Sequence, residues 1–327
     1  MKLKATVWIG LSLTTIIVFS ISLLEGGYLS IVEAWTNGNL TVVQEQILSF
    51  RLSRIFTAFL AGAVLSMAGF YIQALVHNPL ADPYLMGVSS GAGFGVTLLT
   101  TGIIPFIGLY SIWFLPLIAF GGSLASLFLV LLLSRGQHTF GLLMAGIAVS
   151  SLFTALTGYC IYQFSDELQL RSVMFWTLGS FNRSSWEGVY TALICLGVSL
   201  IYGRIRSSRL DVLSLGGDTA SGLGLKVKTF RKEVIWVIAL TVGATTAFTG
   251  PIGFVGLMIP HFTRALLGAS HRNALPFAAL LGGTFLLACD SLAKILLPPA
   301  GLPVSIITSL LGIPFFLYLL HRKNNLG

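Results

Sequence analysis

Charge is scarce in this sequence. Lys, Arg, Asp and Glu together make up 9% of the 327 residues, where a soluble globular domain carries roughly 25%. That excludes a soluble fold. Acidic residues number only 11, and none falls in the middle of an apolar run, which removes the midplane carboxylates of an ion-driven secondary transporter. The three cysteines, Cys160, Cys195 and Cys289, lie in apolar runs without metal-ligand spacing. They read as bland lipid-facing or core residues. His138, His261 and His271 fall near the ends of apolar runs, and none pairs with a spaced carboxylate. An intramembrane enzyme would need such a constellation. Period-two alternation is also missing, which leaves helices as the spanning elements.

What the sequence does have is apolar length. Hydrophobic residues make up 55%, in runs that recur near the ~20 residues needed to cross a bilayer. The reading is an all-α integral membrane protein of about ten spans, forming a single transmembrane domain over 1–327. The spans fall at 5–24, 53–76, 85–103, 112–133, 140–163, 187–203, 233–249, 254–268, 275–296 and 303–320. An amphipathic surface helix is expected near 29–36. Trp176 and Trp186 suit an interfacial belt. Gly87, Gly91 and Gly95 at four-residue spacing form a small-residue face for helix packing.

The net charge of +8 follows from topology rather than from nucleic-acid binding. With ten spans and both termini in the cytoplasm, fourteen of the nineteen Lys and Arg residues fall inside, leaving Arg51, Arg54, Arg171, Arg183 and Lys294 outside. That is the positive-inside pattern. The longest polar stretch, the loop 204–232, carries Arg204, Arg206, Arg209, Lys226, Lys228, Arg231 and Lys232. Within it, Gly216, Gly217, Asp218, Thr219, Ala220, Leu223 and Gly224 predict one or two very short helices. Asp218 is expected as N-cap and Gly224 as the stop. Gly217 and Gly222 have phosphate-loop spacing, but Leu223-Gly224 stand where Lys-Ser/Thr belongs. The loop therefore suits contact with another protein, and any ATP sits on a partner.

Four blocks now assemble into a resemblance. They are Arg51-Leu52-Ser53-Arg54 with Ala61-Gly62-Ala63 and Ala68-Gly69; Gln73-Ala74-Leu75 with 78–83 and 87–92; 250–257 with Pro260, His261 and Arg264; and Pro303-Val304 with Gly312, Pro314-Phe315-Phe316 and Arg322. Together they are similar to the FecCD-type permease family of bacterial ABC importers for ferric siderophores, haem and vitamin B12. The sequence departs at Ser53, where the family usually has Pro, and at Ser305, where it usually has Gly.

The resemblance implies a non-enzymatic, multi-pass permease of the bacterial plasma (inner) membrane, with no cofactor or metal of its own. Two permease subunits, as a homodimer, would work with two cytoplasmic ATPases and a periplasmic or lipid-anchored binding protein. Arg51, Arg54 and Lys294 match docking positions for that protein, and Arg suits carboxylate recognition. The alternatives are interfacial snorkelling for the arginines and an i,i+4 pair with Asp290 for Lys294. Asn78 and Leu80, with Thr139 and Phe140, match cytoplasmic gate positions; a plain proline turn and a helix start are the alternative. Leu213 through Leu225 would contact the ATPase. Gln73 reads as a polar helix–helix contact, and His261 and Arg264 as structural partners of loop carbonyls. The expected cargo is a ferric siderophore, with cobalamin or haem as alternatives.

Overall fold

Twelve α-helices account for nearly all of the residues described by this computed structural model, namely 2–24, 36, 41–104, 113–134, 139–164, 166–298 and 301–324. They are α1 (Lys2–Leu24), α2 (Val42–Val76), α3 (Val88–Thr100), α4 (Phe114–Leu133), α5 (Thr139–Phe164), α6 (Glu167–Thr177), α7 (Trp186–Leu213), α8 (Gly217–Gly222), α9 (Val227–Thr249), α10 (Val255–Leu267), α11 (His271–Leu296) and α12 (Val304–Asn324). A 3₁₀ turn, Pro83–Met86, precedes α3.

Helix α2 is the post around which the others stand. A capping box starts it: Thr41 Oγ1 accepts the Gln44 N–H at 3.3 Å, and Gln44 Oε1 accepts the Thr41 N–H at 3.0 Å. That satisfies two otherwise orphaned donors. From Ser53 onward α2 is buried along almost its whole length, against α7, α9, α10 and α11. Lipid offers no hydrophobic drive between helices, so such contact depends on small residues that let backbones approach. A Cβ at Gly62 would sit 2.2 Å from the Gly282 carbonyl oxygen, and one at Gly69 would sit 1.9 Å from that of Gly256. The expected Gly87/Gly91/Gly95 face is used in the same way. Added Cβ atoms there would meet Ser126 Oγ at 2.6 Å, the Gly122 carbonyl at 2.3 Å and the Ile118 carbonyl at 2.5 Å on α4.

Each expected span contains a helix. Seven are long and apolar enough to cross a membrane. Helices α3 and α10, with 13 residues each, reach only about 20 Å at 1.5 Å per residue, short of the ~30 Å hydrocarbon layer. Both follow breaks in the chain. Four expectations are corrected. Helix α2 begins at Val42 rather than near 53, because Ser53 keeps its helical geometry and bonds back to the Phe50 carbonyl at 2.8 Å. Helix α7 continues to Leu213, so Arg204, Arg206 and Arg209 belong to a helix rather than a loop. An additional helix, α6, is launched by an Asp166–Gln169 capping box. Trp176, at its end, is buried beside Ala92, Val96 and Ala247 instead of lying in an interfacial belt. The expected helix near 29–36 lies outside the described residues, save Thr36 in helical conformation.

The packing predicts a sharp contrast between two glycines. Gly69→Val should cost about 1–3 kcal/mol through overpacking and lower the unfolding temperature in detergent. Gly10→Ala, with nothing within 4 Å, should leave it unchanged or raised.

Candidate functional site

The two breaks, 77–87 and 250–254, lie against each other, and their polar backbone is satisfied by a small set of side chains. Gln73, buried on α2, directs its Nε2 amide at the carbonyls of Ala81 (3.2 Å), Gly256 (3.2 Å) and Leu257 (3.4 Å). Its Oε1 accepts from Arg264 Nη2 on α10. The Arg264 guanidinium lies 5.0 Å from the centre of the Phe70 ring. Asp82 Oδ1 accepts the Tyr84 N–H at 2.9 Å. The Tyr84 hydroxyl accepts the Ile252 N–H at 3.1 Å and meets Thr246 Oγ1 at 3.2 Å. Ser305, one of the two departures from the family pattern, donates to the Pro251 carbonyl at 2.8 Å. Phe254 opens α10 at φ 70, a left-handed conformation unusual for an aromatic residue. Its ring occupies the space a Cβ at Gly312 would need. The helix–helix reading of Gln73 holds. Arg264 reaches the loop carbonyls through Gln73 rather than directly, and His261 packs edge-on against Phe315, 5.5 Å away.

At the end of the molecule that carries α6, Arg54 and Lys294 meet on one carboxylate. Arg54 donates through Nη2 and Nε to Asp290 at 2.7 and 2.9 Å, and through Nη1 to Asn182 Oδ1 at 2.7 Å. Lys294 Nζ is 3.4 Å from Asp290 Oδ2, the oxygen that also accepts from Arg54 Nε. The Arg54 and Asp290 side chains are 10% and 1% exposed. Arg54 thus lies inside the protein, and the i,i+4 pair proposed for Lys294 is present. Arg51, one turn earlier on α2, is half-buried. Asn182 and the Arg54–Asp290 pairing were not foreseen. The available signal was that one carboxylate, Asp290, lies on an apolar helix near the expected outer arginines.

At the opposite end, α8 is a single turn. Gly216 is its N-cap, so Asp218 falls inside the first turn and does not cap. Gly224, at φ 83, ends it as expected. Its N–H bonds the Ser221 carbonyl at 2.9 Å, and the Leu225 N–H bonds that of Ala220 at 3.0 Å, the paired bonds of a Schellman stop. Leu213 and Ala220 are fully buried and seat the helix. Asp218, Thr219, Leu223 and Gly224 are exposed, and Gly216 and Gly217 half-exposed. The surface open to a partner is therefore narrower than 213–225. Asn78 Oδ1 accepts the Leu80 N–H at 2.9 Å, a local turn that places the two together just after His77, where α2 ends. Thr139 begins α5; the Thr139 and Phe140 side chains are outside the described set.

A bundle on one buried helix, with two broken helices tied back to back and a one-turn helix held out at one end, is the plan of a membrane transport permease. The chain belongs to the FecCD transport family, whose model matches residues 11–322. It is 40% identical to the hemin transport permease HmuU of Yersinia pestis over 84% of this chain and 83% of that one. It is 35% identical to the vitamin B12 import permease BtuC of Klebsiella pneumoniae over 97% and 94%. Other relatives are named for molybdate import and for Fe(3+) dicitrate transport. A solved ABC transporter described as metal-chelate type, in an inward-facing conformation, matches with a TM-score of 0.82 at 34% identity, over 98% of this chain and 99% of that one. The chain is accordingly a permease of the ABC-importer class.

The charge cluster makes its own prediction. Asp290→Ala leaves a buried guanidinium without its main carboxylate and should cost about 3–5 kcal/mol, whereas an Arg54→Met/Asp290→Leu double variant should recover most of that loss. Thermal unfolding of the purified variants in detergent measures both.

Proposed function

We propose that this chain forms, with a second copy of itself, the translocation pathway of an ATP-driven importer for a ferric siderophore. The observation that carries the reading is α8. It is a single helical turn held out from the bundle with Thr219 and Leu223 exposed and with basic side chains around it, and its sequence lacks the phosphate-binding lysine. Such a helix suits insertion into a partner, so hydrolysis takes place on two ATPase subunits at this end. The excess of Lys and Arg on the α8 side makes it cytoplasmic, with both termini, in a bacterial plasma membrane. No cofactor is assigned to the chain itself.

The opposite end then receives a soluble or lipid-anchored binding protein. Arg51 and Lys294 are its first contacts, with Arg54 behind them on the Asp290 carboxylate. Asn78 and Leu80, with Thr139 and Phe140 at the start of α5, form the cytoplasmic gate. The names of the relatives support a large metal chelate or a corrinoid as cargo. Haem or vitamin B12 is the second reading, on the same machinery.

Cargo is tested on the cognate binding protein by thermal-shift titration against ferric siderophores, haem, cobalamin and molybdate. Stabilisation by a ferric siderophore is expected; a response to another class alone would replace that cargo. Arg51→Glu should weaken association of the binding protein with the reconstituted complex while ATPase co-purification is unchanged. Leu223→Asp should do the reverse. Equal affinity in the first titration would remove the docking role of Arg51.

A further inference from the structure

The mount of α8 is tied to the bundle by groups that no part of the transport reading has used. Helix α7 projects past the apolar segment and ends at Leu213, three residues before the α8 N-cap. Over that final stretch four hydrogen bonds hold it to three other helices. Arg206 Nε donates to Glu233 Oε1 on α9 at 2.8 Å. Asp211 Oδ1 accepts twice from the first residue of α11, from the His271 backbone N–H at 2.9 Å and from its Nδ1 at 2.6 Å. The Leu213 carbonyl pairs with Nε2 of His77, the residue that ends α2 in a left-handed turn.

The chemistry fixes these bonds. A carbonyl can only accept, so His77 carries its proton on Nε2; a carboxylate can only accept, so His271 carries one on Nδ1. Asp211 also supplies from a neighbouring helix the capping acceptor that α11 lacks locally, since Ser270 makes no side-chain cap bond. His271 is 3% exposed and its ring stands edge-on to Phe70 at 5.7 Å. That places it against the α2 segment that also carries Gln73. The imidazole side of the bond is shielded from water, while the Asp211 side chain stays 39% exposed.

A rigid connection follows. Helix α8 has six residues, too few to be stable alone, and it takes its orientation from its two neighbours. One neighbour, α7, is locked by Asp211 to α11 and by Leu213 to α2. These are the helices whose other ends share the Arg54–Asp290 pair. We infer that Asp211, His271 and His77 are positioning residues: they make α8 move as one body with α2 and α11, so that a displacement of α8 is delivered to those two helices rather than absorbed in a flexible hinge. The inference rests on the reading of α8 as the ATPase contact.

The test uses spin labels at Ser221→Cys on α8 and Arg272→Cys on α11, with the three native cysteines replaced by alanine. The chain is in nanodiscs in complex with its ATPase, with and without ATP and vanadate. Labelled chain is diluted with unlabelled chain so that each complex carries one labelled copy, and the expected parent result is one narrow distance peak, the same in both states. Asp211→Ala/His77→Ala should lose that single peak on nucleotide binding. Asp211→Asn, which keeps an acceptor oxygen for both His271 donors, should restore it. A narrow, nucleotide-independent peak in the double-alanine variant overturns the inference, as does a parent peak that shifts with nucleotide. If the double variant is too unstable to purify, His77→Ala alone, at a half-exposed helix end, carries the same comparison. Co-purification separates the two readings. If Leu223→Asp still binds the ATPase as the parent does, α8 is not the contact and the positioning role falls with it. If Leu223→Asp releases the ATPase but the alanine variants keep one peak, only the positioning role is wrong.

Discussion

A backbone that leaves helical geometry inside a bilayer has no water to bond to. Every exposed N–H or C=O must find a protein partner, or the break costs several kcal/mol per group. This chain makes two such breaks and places them together, so that one set of side chains serves both. Gln73 spans them with one amide group, Tyr84 with one hydroxyl, and Asp82 caps the turn between. Much else in the bundle answers to that arrangement. Gly69 and Gly256 are glycines because the two segments touch backbone to backbone. Helix α2 is buried because it must present Gln73 to both breaks. Ser305, in place of the usual Gly, adds one more donor to the second break.

Two clusters of ionisable groups lie at opposite ends of the molecule. One end has a carboxylate shared by an arginine and a lysine; the other has a carboxylate and two histidines around the stem of α8. Between them the helices meet through apolar and glycine contacts and through neutral hydrogen bonds, such as Thr15 with Thr284 at 2.7 Å, Ser66 with the Ala278 carbonyl at 2.8 Å and Tyr71 with the Ser199 carbonyl at 2.6 Å. The geometry at both ends depends on α2 and α11, which cross both regions.

The spans were legible in the sequence because apolar length is a strong signal, as was the α8 stop, because Gly224 is required by its left-handed backbone. The small-residue face of α3 was legible from spacing alone. Helix limits were less so. Arg204, Arg206 and Arg209 look like loop charges until it is seen that α7 extends beyond the apolar run, and no hydropathy window detects that. The expectation that Trp176 lies in a belt failed because an aromatic at a helix end can face inward as easily as outward. For the site, residues were found more readily than pairings. Arg54 and Asp290 are 236 positions apart, as are Gln73 and Gly256 by 183. A linear reading of one sequence has no means of joining them.

The unequal lengths of the helices set how the protein meets its lipid. Helix α2, with 35 residues, is about 52 Å long at 1.5 Å per residue, well beyond the hydrocarbon layer. Its first turns expose Val42, Val43, Ile47 and Phe50. A thicker bilayer can cover those side chains and a thinner one leaves them in the headgroups, so hydrophobic mismatch is taken up there by depth rather than by strain. The short helices α3 and α10 would be the ones most sensitive to thickness if lipid reached them along their length. They sit largely behind protein, insulated by α2, α4, α5, α11 and α12. The two breaks, and the polar network that holds them, therefore keep the same geometry in membranes of different thickness.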